Sequence, residues 1–497
     1  MSMNAAQTLL HTGAEQAVAL ECGNETLTYG ALRQRVRRAA GAWQKMGLYA
    51  GDRVIVLAPD SIDWVVAYLG VIWAGGVAIG VNPRLALSEL APILTESEVR
   101  FIWCEADSGP PLRELLTELM LATELVSGGT GDCAWAVQCE RAPEIEPVLQ
   151  DEEAPALWIG TSGTTGVSKG VVHVQRVALQ PHSFACGLLQ LSAADRLYAS
   201  SKLFFAYALG NSLLAGLRVG ATVILDRQWP DPDRVLEMVR RHRPSLFFCV
   251  PTLYNKMLQS GVAAQLRDSG IRHCVSAGES LPGSVRKAWL AATGLAIVSG
   301  YGTSETMCLM LYSQDDSGLL QVSPQVQLRF ASELEPTLPQ RVWLHSSSVA
   351  AGYWKRPQAQ DDGFQDGWYR PGDMFLRRSD GQLEFAGRMD DMLKISGRWV
   401  STLWVEQALT SAAADSVVQL ACVGVRTAEG LTALSLLVVA APDQQGLAQQ
   451  RIQGAIEALP SYRRPRWVHW VSALPLTATG KLQRARLVAI HQAALAV

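Results

Sequence analysis

Short apolar runs alternate with longer amphipathic segments through most of this chain. Residues 53–57, 99–104 and 246–250 are apolar runs of the kind that form fully buried strands. Residues 29–46 and 232–242 instead place apolar side chains at helical spacing. Strand and helix signals that alternate in this way predict a parallel sheet with crossover helices.

One apolar stretch is long enough to be considered as a membrane span. Residues 64–81 contain no charged side chain, and a transmembrane helix needs about 18 such residues. A Gly-Gly pair at 75–76 divides the stretch. The sequence therefore predicts a buried helix over residues 61–74, a buried strand over residues 77–81, and no membrane span.

The pattern changes after about residue 321. Alternating strand signals at residues 326–330 and 341–344, with a hairpin turn at 379–381, predict a small β subdomain. From residue 390 onwards, strand and helix signals form a separate α+β set. We therefore expect an α/β protein with a large N-terminal domain (residues 1–389) of parallel-type sheets with helices plus a small β subdomain. A small α+β C-terminal domain (residues 390–497) would follow it.

Composition and charge narrow the class of protein. The 497 residues are 48% hydrophobic and 18% charged, as in a soluble globular protein, and a net charge of −3 gives no electrostatic basis for binding nucleic acid. The nine cysteines show no Cys-x-x-Cys pair or Cys/His cluster, so no metal site is expected from them. No secretory signal is evident at the start, so we expect a cytoplasmic protein with reduced thiols.

A loop of hydroxyls and glycines between two strand signals is the clearest candidate for binding chemistry. Its residues are Thr161, Ser162, Gly163, Thr164, Thr165, Gly166, Ser168 and Lys169. Glycines allow close backbone approach to an anion, and the hydroxyls and the lysine add donors and charge, which suits a polyphosphate. It is not a Walker A loop, because Gly170 occupies the position of the Mg²⁺-binding hydroxyl. The alternative, a flexible linker, is disfavoured by the flanking strand signals at 156–159 and 171–174.

Five stretches, in this order and spacing, resemble the adenylate-forming superfamily of acyl- and aryl-CoA ligases, peptide-synthetase adenylation domains and beetle luciferase. They are residues 161–169 and the sequences GYGTSE at 300–305, WYRPGD at 368–373, GRMDD at 387–391 and LTATGK at 476–481. The resemblance covers nearly the whole chain. A narrower likeness, at residues 202–212, 276–282 and 394–400, is to benzoate-CoA and anthranilate (2-aminobenzoate)-CoA ligases.

The resemblance implies a two-step reaction that uses ATP, Mg²⁺ and coenzyme A. A carboxylate attacks the α-phosphorus of ATP to give acyl-AMP and pyrophosphate, and the CoA thiol then displaces AMP. Catalytic roles are implied for Lys169, Ser304, Glu305 and Lys481, with Glu305 as the Mg²⁺ ligand. Nucleotide contacts are implied for the loop above and for Gly278, Glu279, Ser280, Gly300, Tyr301, Gly302, Ser304, Asp373, Arg388 and Lys481.

The resemblance also implies a mobile C-terminal domain. Asp390 would be the hinge about which this domain rotates, withdrawing Lys481 after the first step. The same rotation would present the CoA-channel segment, which contains Lys394, Ser396, Gly397, Arg398 and Trp399.

The acid-binding pocket is expected to be flat and built from small and aromatic residues, which suits an aromatic ring. Its implied members are Phe205, Ala206, Tyr207, Ala277, Gly278, Gly300 and Cys308. One of Phe204 and Phe205 is expected to be a core residue instead. Benzoate and anthranilate ligases usually have histidine where this chain has Cys308, so the ring substituents stay open.

Three functions are consistent with these residues. The first is an aryl-CoA ligase for a benzoate-type acid, such as benzoate, 2-aminobenzoate or a hydroxybenzoate. The second adenylates the same acid but loads the phosphopantetheine thiol of a separate carrier protein. The third is a paralogue that binds an aryl acid or nucleotide without chemistry, which retention of Lys169, Glu305, Asp373, Arg388 and Lys481 disfavours. The oligomeric state is open.

Overall fold

The structure is a computed structural model. It describes residues 2–128, 134–161, 169–182, 184–315, 317–330, 338–395, 398–413, 416–427, 430–475 and 482–495. Two compact units are present: a first unit of Met1–Arg329 and Trp343–Arg370, and a second unit of Phe330–Val342 and Pro371–Val497. The boundary that we predict from the sequence, at residues 389 and 390, stays a prediction.

The helices follow the amphipathic segments. They are α1 (Ala5–Leu10), α2 (Tyr29–Lys45), α3 (Ile62–Trp73), α4 (Leu87–Ser97), α5 (Gly109–Glu118), α6 (Trp135–Glu140), α7 (Ala206–Ala208), α8 (Ala215–Val219), α9 (Pro232–His242), α10 (Pro251–Gln259), α11 (Gly283–Thr293), α12 (Pro357–Gly363), α13 (Thr402–Ala413), α14 (Gln445–Ala458) and α15 (Arg484–Leu495). A π-helical turn, Leu209–Leu214, joins α7 to α8.

The strands are mostly short. They are β1 (Ser2–Met3), β2 (Val18–Cys22), β3 (Glu25–Thr28), β4 (Arg53–Leu57), β5 (Val77–Gly80), β6 (Phe101–Cys104), β7 (Glu124–Ser127), β8 (Gln150–Asp151), β9 (Pro155–Thr161), β10 (Lys169–Val174), β11 (Arg196–Ala199), β12 (Thr222–Leu225), β13 (Leu246–Cys249), β14 (His273–Ser276), β15 (Ile297–Tyr301), β16 (Leu311–Ser313), β17 (Gln321–Val322), β18 (Gln327–Phe330), β19 (Gln340–His345), β20 (Gly352–Tyr353), β21 (Phe364–Gln365), β22 (Trp368–Tyr369), β23 (Asp373–Arg377), β24 (Leu383–Arg388), β25 (Met392–Ile395), β26 (Arg398–Ser401), β27 (Val417–Arg426), β28 (Thr432–Ala440) and β29 (Trp467–Trp470).

A seven-stranded sheet in the first unit carries the predicted phosphate loop. Its order is β20-β10-β9-β5-β4-β6-β7, and β9, β5, β4, β6 and β7 run parallel. Strands β9 and β10 pair antiparallel, with Thr161 opposite Lys169. The prediction of two strands joined by the loop is confirmed, and Ser162 to Ser168 lie outside the described residues.

A nine-stranded sheet forms the rest of the first unit's framework. Its order is β17-β16-β15-β14-β13-β11-β12-β2-β3, and the six strands from β15 to β2 in that order are parallel. This confirms the parallel sheets predicted from the alternating pattern. Several predicted site residues lie at the carboxyl ends of its strands, where α/β folds place their ligands.

Helix α3 is the apolar segment that we considered as a membrane span. Ser61 caps its start by accepting a hydrogen bond from the Trp64 backbone N–H at 3.1 Å. Every α3 residue except Asp63 is buried, because α2 and the parallel strands surround it. Among the described helices, none has both the length and the apolar character to cross a bilayer.

The hydrophobic pattern of the sequence did not predict some of the strands. Glu124–Ser127 is an edge strand of the seven-stranded sheet, which the sequence pattern does not indicate. The β2–β3 hairpin was not predicted either. These segments are short and partly exposed, so pairing with a neighbouring strand, rather than their own periodicity, makes them strands.

The second unit has its own α+β core, as predicted. Strands β27, β28 and β29 form a sheet, and β25 pairs with β26 as a hairpin. Helices α13 and α14 cover the sheet through Val405, Leu409 and Ile452. The buried Glu406 carboxylate accepts hydrogen bonds from the Arg484 guanidinium, both at 2.8 Å, which ties α15 to α13. The predicted hairpin with its turn at 379–381 is β23–β24.

Candidate functional site

A tight turn after β15 displays Glu305. The fully buried Thr306 hydroxyl accepts a hydrogen bond from the Thr303 N–H at 2.9 Å and donates to the Cys308 carbonyl at 3.1 Å. The Glu305 carbonyl accepts from the Ala350 N–H at 2.8 Å. These bonds hold the backbone of the turn, so that the direction of the Glu305 side chain is set by the fold.

The structure brings two predicted catalytic residues to one tyrosine. Glu305 is 8% exposed, and its Oε1 accepts a hydrogen bond from the Tyr353 hydroxyl at 2.6 Å. The Lys169 ammonium lies 5.2 Å from the centre of the Tyr353 ring. Sequence reasoning missed Tyr353. The Gly-Tyr dipeptide at 352–353 carries no chemical signal of its own, and only the pairing of β20 with β10 places it here.

The Glu305 carboxylate and the Lys169 ammonium suit a site for a magnesium ion that is itself bound to phosphates. Mg²⁺ prefers oxygen ligands and is often held by one or two carboxylates, substrate phosphates and waters. Among the described residues, Glu305 Oε1 accepts the Tyr353 hydrogen bond and Oε2 makes no hydrogen bond or ion pair, so Oε2 can serve as a ligand. Among the residues that the structure describes, no group of three or more acidic, histidine or cysteine side chains is placed to hold a metal ion. The site therefore suits a cation that arrives with the nucleotide, not one caged by protein alone.

His173 supports the same turn from β10. Its Nε2 lies 2.8 Å from the Ser304 carbonyl oxygen, and the side chain is 1% exposed. Burial lowers the pKa of His173 to about 4, so the neutral ring donates from Nε2 at neutral pH. The backbone of Ser304, a predicted α-phosphate donor, is thereby linked to the strand that begins at Lys169.

We expect His173→Gln to weaken the acid sensitivity of the fold. Wild-type His173 has a folded-state pKa of about 4, below the unfolded value of about 6.5. The unfolded chain therefore binds more protons between these values, and stability falls as the pH falls through this window. Glutamine keeps an N–H donor but does not titrate. Between pH 7 and 4.5 the variant should lose about 2 to 3 kcal/mol less unfolding free energy than wild type, measured by urea unfolding. Equal losses would contradict the assignment.

The side chains predicted to line the acid-binding pocket, called the aromatic wall below, are divided between two packed apolar clusters. Ala206 and Cys308 belong to the large apolar core that includes α2 and α3. Tyr207 and Ala277 pack in the cluster with Phe248 and Leu309 on the nine-stranded sheet. The residues predicted to line the pocket are thus shared between these two clusters.

Individual side chains of this wall have distinct environments. Phe204 is 8% exposed and Phe205 is half-buried, with their ring centres 4.5 Å apart, so Phe204 is the core residue of the pair. The Tyr207 hydroxyl donates to the Val275 carbonyl at 2.9 Å, which turns its polar end towards the sheet. Burial raises the pKa of the Cys308 thiol to about 12, so it is neutral.

Close packing explains Gly300, within β15, and Gly302, directly after this strand. A Cβ at Gly300 would lie 2.4 Å from Leu309 Cδ1, and one at Gly302 would lie 2.7 Å from the Cys308 carbonyl oxygen. Both distances are shorter than real Cβ contacts. Glycine is therefore needed at both positions for the chain to pass between the turn and residues 308–309.

Buried hydrogen bonds of Lys202 and Leu203, called the Lys202 tether below, hold the chain just before the aromatic wall. The sequence analysis did not predict them. The Lys202 ammonium, in a residue 5% exposed, donates to the Asp226 carbonyl at 2.6 Å and to the Gln228 carbonyl. Both Asp60 carboxylate oxygens accept from the Leu203 N–H, at 3.1 and 3.2 Å. Burial raises the pKa of Asp60 to about 7, which the positive charge of Lys202 partly opposes. Residues 202–203 are thus fixed to the ends of β4 and β12.

The loop after β14 carries three predicted nucleotide contacts. Gly278, Glu279 and Ser280 are exposed there, and Gly278 has a φ of 89°. The Glu279 carboxylate accepts a hydrogen bond from the Thr252 hydroxyl at 2.7 Å. Tyr301, another predicted nucleotide contact, is the last residue of the neighbouring strand β15. The parallel strands β14 and β15 therefore bring these residues to one edge of the sheet.

The second unit places two of the predicted nucleotide-contact residues side by side. Asp373 lies opposite Arg388 in the β23–β24 hairpin, and the Met389 N–H donates to the Gly372 carbonyl at 2.7 Å. Asp390, the predicted hinge, is in the turn Met389–Asp391.

The predicted CoA-channel segment is the β25–β26 hairpin of the second unit. Lys394 lies opposite Trp399, which is 51% exposed, and the Arg398 guanidinium lies 4.8 Å from the centre of the Tyr462 ring. Ser396, Gly397 and Lys481 lie outside the described residues.

Two domain profiles match this chain. The AMP-binding enzyme profile matches residues 11–354, and the AMP-binding enzyme C-terminal domain profile matches residues 405–481. The chain belongs to the AMP-binding enzyme family. The resemblance to adenylate-forming enzymes is therefore confirmed, and so is the fold expected from it.

Relatives within this family include ligases of aromatic acids. The chain is 36% identical to the 3-hydroxybenzoate–CoA ligase of Aromatoleum sp. (strain CIB), covering 98% of this chain and 96% of that protein. It is 34% identical to the 3-hydroxybenzoate–CoA/4-hydroxybenzoate–CoA ligase of Thauera aromatica, covering 99% and 98%. The crystal structure of the anthranilate CoA ligase AuaEII with anthranoyl-AMP superposes with a TM-score of 0.89 at 28% identity, covering 100% and 98%. This AMP-binding enzyme thus falls in the benzoate and anthranilate CoA-ligase branch predicted from its sequence, and ATP, Mg²⁺ and CoA are the cofactors of that branch.

Proposed function

We propose that this AMP-binding enzyme is an ATP- and Mg²⁺-dependent aryl-CoA ligase. It activates a benzoate-type carboxylic acid as acyl-AMP with release of pyrophosphate, and then transfers the acyl group to the CoA thiol. The observation that carries the proposal is the similarity, along almost the full length of both chains, to ligases named for hydroxybenzoates.

The described residues support this chemistry. An anionic carboxylate must attack a polyanion, so the site has to neutralise charge and hold both reactants in position. We assign Lys169 to the β- and γ-phosphates and Glu305 to the Mg²⁺ that accompanies them. Ser304 would donate to the α-phosphate, and its backbone is held by His173.

The aromatic acid is assigned to the wall that follows the Lys202 tether. Phe205, Ala206 and Ala277 offer flat or small apolar surface, and Cys308 contributes a neutral thiol. Such a lining recognises a ring by shape more than by charge. Among benzoate, 2-aminobenzoate and the hydroxybenzoates, we propose a hydroxybenzoate as the preferred acid.

The roles assigned to the second unit complete the proposal. Asp373 and Arg388 would bind the ribose, Lys481 would promote the first step, and Asp390 would be the hinge of a C-terminal domain beginning at residue 390. CoA is the proposed acceptor, and a cytoplasmic location is proposed on the basis of free, scattered cysteines in the described residues.

The proposal predicts which acid and which thiol are used. Pyrophosphate release should be fastest with 3- or 4-hydroxybenzoate, slower with benzoate and 2-aminobenzoate, and negligible with a medium-chain fatty acid, each assayed with and without CoA. Multiple turnover should require CoA. Adenylate that forms but is not consumed by CoA would instead favour a holo carrier protein as acceptor. No pyrophosphate release with any aromatic acid would contradict the proposal.

A further inference from the structure

Tyr353 contacts two residues that the proposed function assigns to the ATP·Mg²⁺ complex. Its hydroxyl donates to Glu305 Oε1 at 2.6 Å, and the Lys169 ammonium lies 5.2 Å from its ring centre. We propose that Tyr353 is a positioning residue that aims the Glu305 carboxylate at the divalent cation and supports Lys169 beside the phosphates. This inference rests on the proposed function of the same site.

The hydrogen bond restricts how the carboxylate can turn. A carboxylate has two oxygens with about four acceptor positions, and an unrestrained glutamate side chain samples several rotamers. With Oε1 bound to the Tyr353 hydroxyl, Oε2 is the oxygen left to face a cation. A hydrogen bond to one oxygen of a metal-binding carboxylate is a common way to orient it, and its loss weakens the metal site.

Tyr353 offers a separate contact to each of the two charged side chains. Lys169 and Glu305 both approach Tyr353, yet they form no ion pair with each other among the described contacts. A direct pair would neutralise both groups and occupy the atoms that the phosphates and the cation need. The face of the tyrosine ring attracts the ammonium, and its hydroxyl engages the carboxylate.

The position of Tyr353 is fixed by the strand that carries Lys169. Tyr353 lies opposite Val171 in the β10–β20 pair, so Lys169, two residues before Val171, is on the same face of the sheet. The Trp354 N–H donates to the Gly170 carbonyl at 2.8 Å, and the Tyr353 N–H donates to Gln360 Oε1 at 2.9 Å.

The surroundings of the ring also restrict it. Phe364 packs edge-on against the Tyr353 ring, with the ring centres 5.2 Å apart. Gly352 has a φ of 148°, and a Cβ there would lie 1.8 Å from Gln360 Oε1. Backbone pairing and ring packing thus hold the tyrosine in place independently of any ligand.

Tyr353→Phe removes only the hydroxyl and tests its effect on the cation. Binding of the non-cleavable α,β-methylene analogue of ATP is measured by calorimetry over a range of free Mg²⁺ concentrations. We expect the Mg²⁺ concentration for half-maximal binding to rise about 10-fold, with the binding affinity at saturating Mg²⁺ near that of wild type. Tyr353→Leu also removes the ring and should weaken analogue binding at saturating Mg²⁺ by about two- to fivefold.

A control and a double variant separate this effect from a loss of stability. Tyr29 is fully buried, and its hydroxyl donates to the Ala221 carbonyl at 2.7 Å. Tyr29→Phe therefore removes a comparable buried hydrogen bond and should leave the Mg²⁺ dependence unchanged. In a Glu305→Gln background, Tyr353→Phe should cause no further rise in the Mg²⁺ requirement, because the hydroxyl acts through the carboxylate.

The outcomes distinguish this inference from the proposed function. An unchanged Mg²⁺ requirement in Tyr353→Phe, or an equal further rise in the Glu305→Gln background, would overturn the role of the tyrosine. The binding assay contains no aromatic acid, so it remains decisive even if wild type releases no pyrophosphate with any acid. Analogue binding by wild type that does not depend on Mg²⁺ would also overturn the inference.

Discussion

Lys481→Ala is expected to slow adenylate formation about 10²- to 10³-fold while leaving thioester formation from supplied acyl-AMP largely intact. Charge builds up on the carboxylate and the α-phosphate as they react, and removing one well-placed donor to such charge typically has an effect of this size. The implied rotation about Asp390 would withdraw Lys481 before the thiol attacks, so the second step would not depend on its charge. Lys481 is the last residue matched by the C-terminal domain profile.

The two half-reactions are measured separately. Pyrophosphate release with ATP and the acid reports the first, and acyl-CoA formation from synthetic acyl-AMP reports the second. Lys287→Ala, which removes an exposed lysine of α11, is the matched control and should change neither rate. Equal losses in both half-reactions would rule out a role confined to the first step.

Lys202→Met is expected to lower the free energy of unfolding by about 3 to 5 kcal/mol, because two hydrogen bonds from a charged donor are lost. The substitution keeps an unbranched apolar chain but removes the ammonium that binds the Asp226 and Gln228 carbonyls. Asp60, at 5% exposure, would then lose the nearby positive charge. Unfolding by urea measures the loss, and Lys256→Met on the exposed surface of α10 is the control, expected to change stability by less than about 0.5 kcal/mol.

The same substitution should also affect recognition of the acid. Residues 205–207 begin three positions after Lys202, so loosening the tether should raise KM for the aromatic acid more than KM for ATP. Asp60→Asn should be milder, since its amide oxygen can still accept from the Leu203 N–H. A stability loss in Lys202→Met no larger than in Lys256→Met would show that the tether contributes little.

Local pattern predicted the elements that have strong periodicity of their own. Strand β4 has the predicted bounds, and α3 differs from its prediction by one residue at each end. Strand β7 was missed, because a four-residue segment beginning with glutamate becomes a strand only through pairing with β6. The pattern therefore predicted segments that bury a continuous apolar face of their own. It missed a segment that becomes a strand only because a neighbouring strand pairs with it.

The sequence alone determined the family, the order of its motifs and the kinds of residue available for the chemistry, because these depend on short segments whose spacing can be read directly. Only the tertiary structure decided how some of these residues are held. Tyr353 meets Glu305 and Lys169 through the pairing of β20 with β10, and Lys202 is buried against loops that follow other strands. Such contacts join positions far apart along the chain, and no local pattern specifies which distant segment will bury a given side chain.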